Sequence, residues 1–137
     1  MKYDGKYRTS WALVVGVNKY TRVAPLAQAT TDANEVARAL RDAFKFPPEN
    51  IRLLLDDDAT ITNIRSCFMS FTNREVVDPN DRLVVFFAGH GHTVPGNRGD
   101  VGFLVPVDGD IADLASLIRW DELTRNSDLI PAKHVFS

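Results

Sequence analysis

The stretch Leu83 to His92, LVVFFAGHGH, decides how this chain is read. Five large apolar residues and an alanine run together without alternation, the pattern of a strand buried on both faces in the middle of a parallel sheet. Gly89, His90, Gly91 and His92 follow at once. In open α/β sheets, ligands and catalytic groups gather at the carboxyl edge of the strands, and glycines beside an imidazole let a substrate backbone pass close to it. His90 is therefore a candidate general acid/base, because an imidazole with a pKa near about 6.5 shuttles protons at neutral pH. The alternative is a structural histidine satisfied by backbone; the buried strand before it and the polar loop after it favour chemistry.

Outward from this strand, apolar runs alternate with amphipathic stretches. Residues 11–17, WALVVGV, read as a first buried strand, followed by a polar loop around Asn18 to Pro25. In TTDANEVARALRDAF, Ala33, Val36, Ala37, Leu40 and Phe44 fall on one helical stripe, with Thr31 or Asp32 as N-cap and Phe46-Pro47-Pro48 as the stop. Ile51 to Leu55 form a second strand. Thr60 opens a second helix with Ile61, Ile64, Cys67, Phe68 and Phe71 on one face. The cluster Asp78-Pro79-Asn80-Asp81 turns the chain into the strand that begins at Leu83. Successive βα units of this kind predict a parallel sheet. After His92, residues 93–100 read as an exposed loop and VGFLVPVDG as a short extended segment; IRWDEL, 118–123, starts a short helix, and KHVFS, 133–137, begins another buried strand. A domain ending within a core strand would leave backbone groups unpaired, so residues 1–137 are expected to be the amino-terminal portion of a larger domain.

The chain has 137 residues, a net charge of −2 and one cysteine. That length suits one core. The charge and a pI near 5.9 give no basic footprint for nucleic acid. No apolar run approaches a membrane span, and the start MKYDGKYRTS has no signal-peptide core, so a cytoplasmic protein is expected. A single cysteine excludes an internal disulfide and a cysteine-based zinc site.

Other residues invite chemistry less strongly. In an extended chain His92 would face the same side as His90, which is metal-ligand geometry. Metallohydrolase motifs of that form, however, add an aspartate where Val94 stands, so His92 reads as a residue at the mouth of the site and no metal is assigned. Asp56, Asp57 and Asp58 resemble the acidic pocket of a receiver domain but lack the acidic pair after the first strand; a solvated turn capping the next helix is the simpler reading. Cys67 shares a helical face with Ile64, Phe68 and Phe71, which argues for a buried thiol with little thiolate. No Walker-type or dinucleotide-type glycine pattern occurs.

Five segments taken in order, WALVVGVNKY, TTDANEVARAL, ENIRLLLDDDATITNI, DRLVVFFAGHGH and GFLVPVDG with IRWDEL, resemble the caspase and metacaspase superfamily of cysteine peptidases, nearest its bacterial caspase-like members. The resemblance implies a three-layer α/β/α sandwich with a mostly parallel sheet. It also implies a dyad of His90 with a cysteine at the end of the following strand, the one that KHVFS begins. No such cysteine lies within residues 1–137, and no other side chain here can replace it in forming the acyl-enzyme. In relatives that cut after Arg or Lys, an aspartate at the start of the first helix lines the specificity pocket. Asp32 matches it, and the helix-cap role can coexist with that one. Backbone N–H groups near Gly91 are expected to help hold the oxyanion, with His92 beside the substrate. Some members bind calcium through an Asp-Asp-Glu run; here the run is Trp120-Asp121-Glu122, one ligand short.

The leading expectation is thus the histidine-bearing part of a cysteine endopeptidase acting on a peptide or protein, its nucleophile supplied just beyond Ser137 or by a second chain. The alternatives are a caspase-fold pseudoprotease or interaction module and, more distantly, a flavodoxin-like binding domain.

Overall fold

The computed structural model describes residues 7–136. Strand β1, Ser10–Gly16, is buried at every position. Its neighbours are β2, Ile51–Leu55, and β3, Arg82–Ala88, and β7, Lys133–Phe136, extends the sheet beyond β3. All three pairings are parallel, with Gly16 level with Ala88, so β1 and β3 end together at one edge.

Side chains alternate across a strand, and the alternation here sorts the core into two. Leu13, Val15, Leu83 and Val85 face the larger cluster with Ile64, Phe68 and Phe71, whereas Ala12 and Val14 face a smaller one with Ala33, Leu40 and Phe46. Helix α1, Ala29–Asp42, covers the smaller cluster. Helix α2, Ile61–Ser70, and α3, Trp120–Asn126, cover the larger. The result is the three-layer α/β/α sandwich that the resemblance implies. One refinement concerns β3: it is paired on both sides, but only Leu83 and Val85 are buried, and Val84, Phe86 and Phe87 are half-exposed. The fully enclosed strand is β1.

Helix α2 is capped as read, with the Thr60 hydroxyl accepting the Asn63 N–H at 3.1 Å. Helix α1 is not. It begins at Ala29, before Thr31 and Asp32, and its first N–H groups are satisfied from outside the helix. Asn18 Oδ1 accepts from Ala29 N at 2.8 Å and Thr30 N at 3.3 Å, while Asn18 Nδ2 donates to Thr30 Oγ1. The opposite end also differs. The helix closes at Asp42, Lys45 turns left-handed at φ 61°, and Phe46 enters the core while Phe44 stays 55% exposed.

The largest departure lies after His92. In place of an exposed loop, β4, Gly91–Gly96, and β5, Gly99–Leu104, form an antiparallel hairpin, which β6, Ile118–Arg119, extends into a second sheet. Val94 pairs with Val101 and His92 with Phe103, giving one half-buried, mainly apolar row with the exposed Thr93–Gly102 pair between. Pro95 and four glycines in 91–102 hid this alternation in the sequence.

Candidate functional site

The imidazole of His90 stands two residues past the end of β3, at the carboxyl edge of the parallel sheet. Its Nε2 lies 2.7 Å from the carbonyl oxygen of Ala24, in the loop that joins β1 to α1. A carbonyl only accepts, so in the neutral ring Nε2 carries the hydrogen and Nδ1 carries the lone pair. Among the described residues nothing bonds to Nδ1. The backbone of His90 is tied on both sides: its carbonyl accepts from Val105 N at 3.0 Å, and its N–H donates to the Tyr20 hydroxyl at 2.9 Å. The hydroxyl donates in turn to the Val105 carbonyl at 2.8 Å, and the Tyr20 and His90 rings lie 4.9 Å apart at 49°. Burial pushes the Tyr20 phenol up to about 12, so it is neutral and able to donate at any physiological pH.

The loop bearing Tyr20 and Ala24 is held by Asn18 and Asp56. Asn18, whose side chain caps α1, accepts at its backbone carbonyl from Tyr20 N and Leu26 N. Asp56 Oδ1 accepts from Asn18 N at 2.8 Å and Lys19 N at 3.0 Å. Asp56 does this from a left-handed backbone, φ 44°, which aspartate tolerates better than most residues. The acidic run at 56–58 is a turn whose last two members are solvated, but it does not cap α2, which Thr60 does; its first member reaches back to fasten the loop that orients His90.

The two glycines around His90 differ in their reasons. A Cβ on Gly89 would sit 2.6 Å from the Tyr20 hydroxyl and 3.0 Å from the Phe87 ring, so no larger residue leaves room for that hydrogen bond. A Cβ on Gly91 would meet nothing nearer than the Phe103 carbonyl at 3.7 Å, so the described residues leave this flank open. In an antiparallel ladder the paired positions alternate between bonded and non-bonded. With His90 bonded to Val105, Gly91 opposite Leu104 is a non-bonded position, and its N–H points away from β5 on the outer side of an edge strand. His92 is half-buried one position further along β4.

Asp32 lies exposed in the first turn of α1. Together with Gln28, Phe86, Phe87, Ala88 and Gly89 it lines a cleft of about 550 Å³ over the end of β3. Among the described residues no cation pairs with its carboxylate. The structure therefore brings Asp32 to the flank of the His90 loop, while Gly91 and His92 continue along β4 beyond that cleft.

This chain matches the caspase domain over residues 9–132. It belongs to the caspase-domain family. Metacaspase-4 of Arabidopsis thaliana is 32% identical over 134 residues, covering 90% of this chain and 30% of that protein. Metacaspase-1A of Aspergillus oryzae is 30% identical over 105 residues, covering 72% of this chain and 25% of that protein. A crystal structure of a Geobacter sulfurreducens protein superposes with a TM-score of 0.72 at 18% identity, over 93% of this chain and 48% of that one, a likeness of fold. The chain spans between a quarter and a third of the length of the curated relatives it matches.

Calcium, which the resemblance raised, does not fit the residues present in this caspase domain. Asp121 is paired with Arg119 at 2.7 Å and faces Arg125 at 4.0 Å, and Glu122 holds Arg65 through two bonds of 2.8 and 2.9 Å. A calcium ion needs about six to eight oxygens. Among the described residues no three His, Cys, Asp or Glu side chains converge. Cys67 lies half-buried on α2, packed against the larger core cluster, and burial pushes its thiol up despite the nearby Arg52 charge.

Residues that sequence reasoning passed over prove to build the site's support: Asn18, Tyr20, Asp56, and Ala24 through its carbonyl. The one legible signal was a tyrosine placed in an otherwise polar loop straight after a buried strand.

Proposed function

We propose that this caspase domain is the histidine-bearing part of a cysteine endopeptidase that cleaves after Arg or Lys, with His90 as general acid/base. The observation that carries the reading is the 2.7 Å contact of His90 Nε2 with the Ala24 carbonyl, which leaves Nδ1 as the basic nitrogen. Nδ1 takes the proton of a thiol, the thiolate attacks the peptide carbonyl, and the Gly91 N–H on the outer side of β4 faces the developing oxyanion. The C–N bond then breaks as Nδ1–H protonates the departing amine. Water, deprotonated at the same nitrogen, hydrolyses the acyl-enzyme. Asp32 supplies the negative charge for a basic side chain entering the cleft beside Gly89.

The nucleophile is proposed to lie beyond Ser137. The β3–β7 register, which pairs Val85 with Phe136, sets where. Continued at the same offset, it places residues about two to four positions past Ser137 beside Ala88 to His90. The test is cleavage of Arg and Lys reporter peptides by the domain expressed with the sequence that follows Ser137. Activity abolished by His90→Ala supports the proposal, and activity retained rejects it.

A second reading, a caspase-fold interaction module without catalysis, is favoured by one observation: Cys67, the single cysteine of the 137 residues, is committed to α2. Covalent labelling of the extended protein by a thiol-directed peptide inhibitor would exclude it.

A further inference from the structure

The Tyr20 hydroxyl stands in a place that normally belongs to a ladder hydrogen bond. His90 and Val105 continue the register that pairs Gly91 with Leu104. Such a position in an antiparallel pair exchanges two N–H···O=C bonds. One is present, Val105 N–H to the His90 carbonyl. The other runs through the phenol, from His90 N–H to Tyr20 Oη at 2.9 Å and from Tyr20 Oη to the Val105 carbonyl at 2.8 Å.

We propose that Tyr20 is a positioning residue for His90, its hydroxyl inserted into the first rung of the hairpin so that the imidazole meets the Ala24 carbonyl. This deepens the proposed function and, as a role in catalysis, rests on it. The inserted hydroxyl holds the His90 backbone away from β5 by the width of one oxygen atom. Gly89 is the necessary complement, since its missing side chain is the space in which that oxygen sits. Without the hydroxyl the rung closes directly, His90 moves toward β5, and Nε2 is drawn off the Ala24 carbonyl. The ring then loses the partner that keeps the hydrogen on Nε2. The ring contact at 4.9 Å adds a second restraint on the imidazole plane. Tyr20 reaches this place because Asp56 fixes the two residues before it and the Asn18 carbonyl accepts from its own N–H.

The experiment needs no peptidase activity and uses the 137-residue chain labelled with ¹⁵N. Long-range proton–nitrogen correlations of the His90 ring report its tautomer. The unsubstituted chain is expected to show a single Nε2–H tautomer, and Tyr20→Phe, which retains the ring and removes only the oxygen, a mixture of the two. Gly89→Ala, which displaces the hydroxyl while leaving Tyr20 in place, is expected to do the same. An unchanged single tautomer in either folded variant overturns the proposal. Should neither variant fold, the unsubstituted chain decides. A Tyr20 hydroxyl proton with a nuclear Overhauser contact to the His90 amide supports the inserted hydroxyl, and a His90 amide without that contact, or one that exchanges unprotected, overturns it. In the extended, cysteine-bearing protein, Tyr20→Phe is expected to lower kcat about a hundredfold with KM unchanged, the scale of a misplacement near 1 Å. A tautomer change without any peptidase activity in the parent would sink the proposed function and leave the positioning role standing.

Discussion

At the amino end of β3 the Asp81 carboxylate is fully buried and accepts from five N–H groups: Arg8 Nε and Nη2, the Trp11 indole, and the backbones of Thr9 and Asp78. At the carboxyl end of the same strand, nine residues on, His90 is held by its backbone and by Nε2, while among the described residues Nδ1 has no partner. The first arrangement spends every lone pair on structure. The second fixes a group in place and leaves one atom unspent. Saturation marks the end that holds the sheet together, and incomplete satisfaction marks the end available for chemistry.

The largest expected effect comes from breaking the saturated end. Asp81→Ala leaves buried donors of Trp11, Thr9 and Asp78 unpaired and is expected to cost on the order of 3 kcal/mol, read by denaturant unfolding, with the His90 tautomer in the surviving folded population unchanged. A tautomer change there would show that the two ends are coupled. The same carboxylate sets an acid limit. Burial acts to raise its pKa, but the Asp78 N–H, the Arg8 guanidinium and the Trp11 indole together hold it below the usual carboxylate range. Its contribution is therefore complete above the unfolded-chain value of about 3.9 and is lost as pH falls through the lower folded value. Stability measured against pH should drop below about 4 in the parent, and this component should be absent from Asp81→Asn.

Asp56→Ala attacks the open end instead. It removes the acceptor for two loop N–H groups and places alanine in a left-handed conformation, an expected loss of about 2 kcal/mol. Unlike Asp81→Ala, it is expected to disturb the His90 ring signals. Smaller still, Asp32→Ala should move stability by no more than about 0.5 kcal/mol, as for an exposed residue, yet remove the preference for Arg over Ala at the cleaved position in the extended protein. Unaltered preference would move the specificity pocket elsewhere. The smallest expected effect is none: calcium added to the chain should leave its unfolding temperature unchanged, because Asp121 and Glu122 are engaged by arginines. A clear upward shift would show that the metal outcompetes them.

The contrast between the two ends also explains what could be read from the amino acids alone. Leu13, Val15, Leu83, Val85 and the stripe Ile64–Phe68–Phe71 report their burial through spacing, so strands, helices and a parallel sheet are legible, and with them the position of His90; the three-layer order comes from the family resemblance. Asn18 caps a helix that starts eleven residues later, Asp56 fastens a loop 38 residues before it, and Tyr20 bridges residues 90 and 105. These roles are hydrogen bonds between distant segments, which leave no periodicity behind. The hairpin was hidden for a local reason: Pro95 and its glycines carry turn chemistry, and only one row of it is apolar.

The loop from Asn18 to Gln28 carries a consequence for time as well as for shape. Thr21, Arg22, Ala24 and Pro25 are exposed, and only the buried Tyr20 with the half-buried Val23 and Leu26 tie the segment to the core, so it opens at a free energy below that of global unfolding. When it lifts, the Ala24 carbonyl leaves the imidazole, and the proton on Nε2 is no longer assigned. The fraction of molecules whose His90 ring keeps its Ala24 partner is then set by a local opening equilibrium, and the amide exchange rates of Asn18 and Ala29 follow it more closely than any melting temperature does.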